Sequence, residues 1–334
     1  MYWVCDGNYT LSRATVRTFW HSRADEHGRA TRPIATKQPL GRLIRLVKQM
    51  ITQCLAMALF TATTRTAFPS HGPLSFQVKV VGHGKPMILI PGLSCSGDVW
   101  DATVEHYKDR YEIRVLTLPG FAGQPPIAAP ILPRVRDEVI AYISNQHLDH
   151  PVVVGHSLGG MMALWIAATS PKSVGKVVSV DGVPWLPALT NPSATMASAT
   201  KSGAFLRDSM ATMDQAAFVN GMKQSLQYMV TSPSDFDRIL ATSAKSDPKS
   251  VGEAMYELYS TDLRPLMSQV QAPVLMLAEG AFFITPATQK TGLANYEAQI
   301  HAIPNHTLRM SFKARHFIMF DDPEFFFKQI DSFL

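Results

Sequence analysis

Residues 151 to 168 read PVVVGHSLGGMMALWIAA, and this stretch decides the fold. The β-branched run Val152-Val153-Val154 predicts a buried strand, and the apolar sequence after the glycine pair predicts a helix. Between them lies a G-x-S-x-G motif, whose sharp turn holds Ser157 in a strained backbone conformation. Gly155 and Gly159 remove side chains that would collide in that turn. We therefore predict that Ser157 is a nucleophile at the start of a helix, where backbone N–H groups favour negative charge.

From residue 75 onward, short apolar runs alternate with helical stretches such as 133–146 and 161–168. The runs are continuous, as expected for strands that are covered on both faces. This alternation of strands and helices predicts an α/β fold with a mostly parallel sheet. The predicted strands are 76–81, 87–90, 113–116, 152–154, 177–180, 274–277 and 308–312.

The alternation of strand-like and helical stretches stops at about residues 183–268, where no run resembles a strand. The segment SDPKSVGEAMYEL instead predicts a helix with Asp247 as N-cap and Pro248 at its first position. Its Met255, Leu258 and Tyr259 share one face. We interpret the segment as a helical cap insertion, whose methionine and aromatic side chains either complete the core or line a substrate pocket as a lid.

These features resemble the α/β-hydrolase family over roughly residues 75–334. MILIPGLSCSGDVW, residues 87–100, resembles the turn after the family's third strand, with Pro91 in place of the usual histidine. The resemblance implies an oxyanion hole built from the backbone amides of Leu93 and Leu158. VLTLPGFAGQ, residues 115–124, resembles a family loop in which Thr117 replaces an aspartate and Gln124 a serine.

The C-terminal sequence ARHFIMFDDPEFFFKQIDSFL, residues 314–334, resembles the family's His-Phe and Pro-Glu ending. The resemblance implies that His316 is the general base, which takes the Ser157 proton and returns it to the leaving group. Asp322 and Pro323 predict the start of a final helix. The packing stripe of that helix comprises Phe326, Ile330, Phe333 and Leu334.

The acid that should orient this histidine is not where the family usually has it. In PVLMLAEGAFFITP, residues 273–286, Phe282 matches the aspartate and Glu279 matches a customary glycine. Phenylalanine cannot accept the imidazole hydrogen bond. We predict Asp181, which ends the strand in KVVSVDGVPWLP as the acid does in certain lipases of the family, with Glu279 as the alternative. The third alternative is a slow serine–histidine dyad without an acid.

The resemblance implies a serine hydrolase, an esterase that cleaves a carboxylic ester or related acyl bond through an acyl-enzyme. It implies no metal and no organic cofactor. The expected substrate is a small apolar or amphipathic acyl compound. A ligand-binding protein on a hydrolase fold and an acyltransferase share these residues and stay open as alternatives. The oligomeric state is not indicated.

The N-terminal part of the chain differs from the rest. Residues 1–49 carry nine basic and three acidic side chains, whereas residues 50–334 carry 22 and 23, so the globular part has no basic excess that would indicate nucleic acid. Residues 1–42 lack apolar periodicity and read as a disordered extension or a mis-assigned start, with translation beginning near Val47 or Met50.

Residues 43–67 resemble a secretory signal peptide, with a basic region before an apolar stretch too short for a stable membrane span. A signal would direct the protein to the periplasm or outside the cell. Without one, a cytoplasmic protein with a loosely amphipathic extension is expected. Cys5, Cys54 and Cys95 lie too far apart for a metal-ligand motif and indicate no disulfide framework.

Overall fold

A computed structural model of the chain describes residues 73–334. The predictions for residues 1–42 and 43–67 fall outside that range. The described residues contain a seven-stranded sheet in the order β1-β3-β2-β4-β5-β6-β7. Its strands are β1 (Gln77–Gly82), β2 (Lys85–Ile90), β3 (Tyr111–Thr117), β4 (Val152–His156), β5 (Lys176–Val180), β6 (Val274–Glu279) and β7 (His306–Ser311).

Every apolar run that predicted a strand overlaps one. β1 pairs antiparallel with β3, and the other neighbouring strands pair in parallel. The largest difference is at β7, which begins two residues earlier than predicted and ends at Ser311 rather than at residue 312. Its first residues are only half-buried, so their side chains give little apolar signal.

Helices connect these strands. Within residues 73–334 they are α1 (Asp101–Tyr107), α2 (Ile131–Asn145), α3 (Leu158–Thr169), α4 (Leu186–Thr190), α5 (Met196–Ala211), α6 (Gln215–Leu226), α7 (Pro233–Ser243), α8 (Pro248–Ser260), α9 (Pro286–Ile300), α10 (Ile318–Asp321) and α11 (Pro323–Phe333). Helix α3 begins at Leu158, so it includes the glycine pair that was expected to precede it. Gly159 is needed there because a Cβ atom would lie 2.1 Å from the carbonyl oxygen of Ile90.

The sheet is covered on both faces. Ile88 and Ile90 of β2 are buried in the cluster that includes α2 and α3. Met87 and Leu89 alternate with them and are buried on the other face, together with residues of α1 and α11. Because successive side chains of a strand point to opposite faces, this alternation requires the strand to be apolar throughout. The mostly parallel, doubly covered sheet confirms the predicted fold class.

Helices α4 to α8 lie between β5 and β6, and we call this segment the helical insertion. Helix α8 begins with Asp247 as N-cap, whose side chain accepts a hydrogen bond from the Ser250 amide. Leu258 of α8 is buried in the main core, and Met255 and Tyr259 pack against that core. This face of the insertion therefore belongs to the core of the domain. No helix in residues 73–334 has the length and apolar character needed to cross a membrane.

Candidate active site

Ser157 lies at the junction between β4 and α3. Its backbone has φ 54° and ψ −118°, a conformation that side-chain-bearing residues rarely adopt. A Cβ atom at Gly155 would lie 1.9 Å from the Gly159 carbonyl oxygen, so only glycine fits at position 155. The strained turn therefore presents the Ser157 side chain at the edge of the sheet where the parallel strands end.

The Ser157 hydroxyl is not used to cap the helix. Serine is a favoured N-cap residue because its oxygen can accept a hydrogen bond from the first turn. At α3, however, Ser157 makes no side-chain cap bond. Its hydroxyl also makes no hydrogen bond within residues 73–334, so the hydrogen bond to His316 through which the proton would pass is not formed in this structure. The hydroxyl is thus left for another interaction.

His316 follows β7, and Asp181 directly follows β5. The His316 Nδ1 atom lies 2.5 Å from Asp181 Oδ2. The Asp181 side chain is 4% exposed and the His316 side chain 22%. Burial lowers the pKa of the His316 imidazole, but the hydrogen bond and charge of Asp181 and the charge of Glu279 outweigh it and raise that pKa above its ordinary value. The structure thus brings together two of the three residues predicted for a triad.

Asp181 is held by further donors. Its Oδ1 atom accepts a hydrogen bond of 2.5 Å from the Tyr296 hydroxyl and one of 3.0 Å from the Glu279 amide. The backbone of Asp181 has φ 53°, and its amide donates to the Leu277 carbonyl at 2.7 Å. Both oxygens of the carboxylate are therefore occupied, which fixes the side chain relative to His316.

The Glu279 carboxyl lies near this pair. Asp181, Glu279 and His316 each offer one ligand atom, and these atoms lie within 4.8 Å of one another. Such spacing could hold a metal ion, but the hydrogen bond of His316 Nδ1 to Asp181 occupies the ring nitrogen on that side. Burial, and then the charge of Asp181, raise the pKa of Glu279 to about 7. Asp181, rather than Glu279, is the carboxylate that is hydrogen-bonded to His316.

Phe282, which matches the usual position of the acid, is an exposed side chain. It is 44% exposed, and the Arg315 guanidinium lies 5.8 Å from the centre of its ring. The loop that carries it is tied to the His316 loop because the amides of Gly280 and Ala281 both donate to the Ala314 carbonyl. The loop thus keeps its place beside His316 although it supplies no acid at position 282.

The nucleophile also lies close to the turn after β2. A Cβ atom at Gly92 would lie 3.3 Å from the Ser157 Cβ, so the turn and the serine are in near contact. The backbone amides of Leu93 and Leu158 make no hydrogen bond to any other group in residues 73–334. Both amides predicted for the oxyanion hole are therefore available to a ligand.

Two contributors to this site, His156 and Tyr296, are not predicted by any sequence motif. His156 is 1% exposed and its Nε2 lies 3.1 Å from the His316 carbonyl oxygen. Burial, and then His316, hold the pKa of the His156 ring well below its usual range, so it contacts that carbonyl as a neutral Nε2–H donor. Tyr296 lies on α9, and no local motif marks it. Its hydrogen bond to Asp181 is evident only in the folded chain.

The chain is similar in sequence to known proteins. Residues 87–329 match the model of the alpha/beta hydrolase family. A pimeloyl-[acyl-carrier protein] methyl ester esterase of Nitrosomonas europaea is 25% identical over 220 residues, which cover 64% of this chain and 83% of that protein. An esterase of the same name from Aeromonas hydrophila is 32% identical over 115 residues, which cover 33% of this chain and 43% of the relative.

Solved structures share the fold. MenH from S. aureus has a TM-score of 0.65 at 15% identity, covering 78% of this chain and 97% of its own. A thermophilic esterase from Thermogutta terrifontis has a TM-score of 0.64 at 17% identity, and the match covers 77% of this chain and 92% of the esterase. The fold and the hydrolase class predicted from the sequence are thus confirmed. The chain belongs to the alpha/beta hydrolase family.

Proposed function

We propose that the protein is a serine hydrolase that cleaves a carboxylic ester through an acyl-enzyme on Ser157. The Ser157 oxygen attacks the carbonyl carbon, and its proton passes to His316 Nε2. The tetrahedral intermediate collapses when the C–O bond breaks and the leaving alcohol takes the proton from His316. Water then attacks the acyl-enzyme by the same route and releases the acid.

The observation that carries this proposal is the 2.5 Å contact between His316 Nδ1 and Asp181 Oδ2. A carboxylate at Nδ1 keeps the proton there, so that Nε2 is free to accept the serine proton, and it stabilises the imidazolium that follows. In this proposal the Ser157–His316 hydrogen bond forms when substrate binds, since catalytic hydrogen bonds are often long in the free enzyme.

The oxyanion of the intermediate would be bound by the amides of Leu93 and Leu158. Both are unpaired among the described residues, and Leu158 is the first residue of α3, where the helix dipole adds to the attraction. A buried, preorganised donor of this kind supplies about 3 to 4 kcal/mol of transition-state stabilisation.

The choice of substrate class is supported by the relatives and by the helical insertion. The relatives from Nitrosomonas europaea and Aeromonas hydrophila are both named as methyl ester esterases. Met222 of α6 places its sulfur 3.9 Å from the Ser94 hydroxyl, next to Leu93. An adaptable apolar side chain at that point suits an acyl group more than a charged one. We therefore expect a small apolar or amphipathic ester.

The proposal is tested by hydrolysis of p-nitrophenyl acetate, butyrate and octanoate by the wild type and the Ser157→Ala variant. We expect turnover by the wild type, an acyl adduct on the peptide that contains Ser157, and neither in the variant. Ser332→Ala, an exposed serine near the C-terminus, is the control. Tight ester binding without turnover would favour the ligand-binding alternative over hydrolysis. Product formation with an added alcohol would favour acyl transfer.

A further inference from the structure

Ser246 lies in the turn between α7 and α8 and is 1% exposed. Its hydroxyl donates a hydrogen bond of 3.1 Å to the carbonyl oxygen of Ser94 and accepts one of 2.8 Å from the amide of Ala122. A single side chain of the helical insertion therefore joins two loops that follow β2 and β3.

The first of these loops carries the Leu93 amide. The Cys95 amide donates to the Gly92 carbonyl at 3.1 Å, so residues 92–95 form a β-turn in which Leu93 and Ser94 are the central residues. Ser94 has φ 58° and is 1% exposed. A left-handed conformation at the second central position suits glycine or asparagine and is strained for serine. The turn therefore needs support from outside to keep this conformation.

The Ser246 hydroxyl supplies that support at the Ser94 carbonyl. The second loop anchors the arrangement, because the Asp247 amide donates to the Gly120 carbonyl at 2.8 Å. A Cβ atom at Gly120 would lie 2.3 Å from the Ser250 side chain, so the two backbones are closely packed. The start of α8 thus packs against the loop after β3, and the preceding residue Ser246 contacts the Gly92–Cys95 turn.

We propose that Ser246 is a positioning residue that fixes the Gly92–Cys95 turn, and with it the Leu93 amide, in the orientation that binds the oxyanion. This inference rests on the proposed function. The helical insertion then belongs to the catalytic apparatus, because the docking of α8 contributes to transition-state stabilisation. Ser246 does not touch the substrate, so its effect passes entirely through the turn.

The expected kinetic signature follows from this role. The oxyanion is charged in the transition state and not in the bound ester, so loss of alignment should lower kcat and leave KM nearly unchanged. Removal of a whole oxyanion donor costs 10² to 10³ in kcat, and misalignment of one should cost less. For Ser246→Ala and the nearly isosteric Ser246→Cys we expect kcat to fall about 10- to 100-fold.

The experiment measures kcat and KM with p-nitrophenyl butyrate and the inhibition constant of an alkyl trifluoromethyl ketone, which forms an oxyanion adduct with serine. Inhibition by the ketone should weaken in proportion to kcat/KM. Titration with diethyl p-nitrophenyl phosphate counts folded, competent sites, so that kcat refers to active enzyme. Thr242→Val is the control because Thr242 is half-buried near the end of α7 and its hydroxyl donates to the Ile239 carbonyl rather than to either loop.

The outcomes separate the two proposals. If the wild type hydrolyses esters through Ser157 and both Ser246 variants keep kcat within twofold, the positioning role is wrong and the hydrolase proposal stands. A rise in KM at unchanged kcat would also overturn the positioning role, since it would indicate a substrate-binding effect. If the wild type has no Ser157-dependent turnover, the hydrolase proposal fails and this inference fails with it.

Discussion

The Tyr296 hydroxyl and the His316 ring bind opposite oxygens of one carboxylate, that of Asp181, each at 2.5 Å. Tyr296 is 3% exposed, so its bond is made away from bulk water, where a hydrogen bond to a charged group is worth about 1.5 to 3 kcal/mol. The tyrosine thus fixes the acid, and the acid fixes the histidine.

Tyr296→Phe removes only the donor and keeps the ring in its packing. We expect kcat to fall about three- to tenfold at unchanged KM, together with a loss of about 1 to 2 kcal/mol in unfolding free energy. Steady-state kinetics and urea titration measure the two effects. Tyr259→Phe, on α8, is the control because the Tyr259 hydroxyl is not among the hydrogen-bond partners of Asp181. Unchanged kcat in Tyr296→Phe would show that Asp181 does not need this bond.

Asp181→Asn tests the acid itself. The variant should retain the fold but lose the orientation of His316 and the stabilisation of its imidazolium, so we expect kcat to fall about 10³- to 10⁴-fold. Glu279→Gln should keep kcat within about tenfold because its carboxyl is not hydrogen-bonded to His316. The two kcat values are compared on the same ester. A larger loss in Glu279→Gln than in Asp181→Asn would transfer the role to Glu279.

The sequence predicts those parts of the site that depend on local structure. The turn at Ser157 follows from glycines two residues to each side, and the strand after which Asp181 lies is evident from its apolar run. The sequence favours Asp181 but leaves Glu279 open, because Asp181 directly follows β5 and Glu279 ends the neighbouring strand β6 at the same edge of the sheet. It depends on the side-chain direction at the end of each strand, which only the folded chain fixes.

The remaining contacts are invisible in the sequence for the same reason. Tyr296 is 115 residues from Asp181, and Ser246 is 152 residues from Ser94. Each is an ordinary residue of a helix or turn, without a motif. Their roles arise from the packing of α9 and α8 against the sheet edge, and this packing follows no local periodicity.

The pH dependence of stability should reveal Glu279. Its pKa is about 7 in the folded protein and near its ordinary acidic value when unfolded. Between those values the folded state holds a proton that the unfolded state has released, so stability falls as pH rises through this window. The raised pKa of His316 acts in the same direction. Protonated His316 stabilises the folded protein, and this stabilisation is lost as pH rises through the pKa that His316 has in the folded state.

We therefore expect the wild type to lose about 1 to 3 kcal/mol more than Glu279→Gln between pH 5 and pH 8. Urea unfolding at both values measures this difference. Glu324→Gln, at an exposed glutamate of α11, should behave as the wild type does. Parallel curves for wild type and Glu279→Gln would mean that Glu279 titrates as an ordinary surface acid.

Because the backbone at Ser157 is strained, we expect glycine to be more stable than alanine at this position. In an ordinary helix, glycine is about 0.5 to 1 kcal/mol less stable than alanine. At φ 54° the order should reverse, with Ser157→Gly about 1 kcal/mol more stable than Ser157→Ala. Thermal unfolding of both variants tests this, with Ser202→Gly and Ser202→Ala on α5 as the ordinary pair. The usual order at position 157 would show that the turn stores no strain.

Glu257 of α8 is predicted to stabilise the start of α2. That helix begins after Pro130, which has no capping side chain, and the Glu257 carboxylate accepts hydrogen bonds of 2.7 and 2.6 Å from the amides of Ile131 and Leu132. The side chain is nearly buried, so its removal leaves two amides without partners and should cost about 2 to 4 kcal/mol.

Urea unfolding of Glu257→Ala measures this cost, and Glu257→Gln should lose less because its amide oxygen still accepts one bond. Glu253→Ala, one turn earlier on α8, bonds to neither amide and should change stability by less than about 1 kcal/mol. Equal losses at positions 253 and 257 would show that the carboxylate does not cap α2. A larger loss of unfolding free energy at position 257 would show that this cap helps to hold the helical insertion on the rest of the domain.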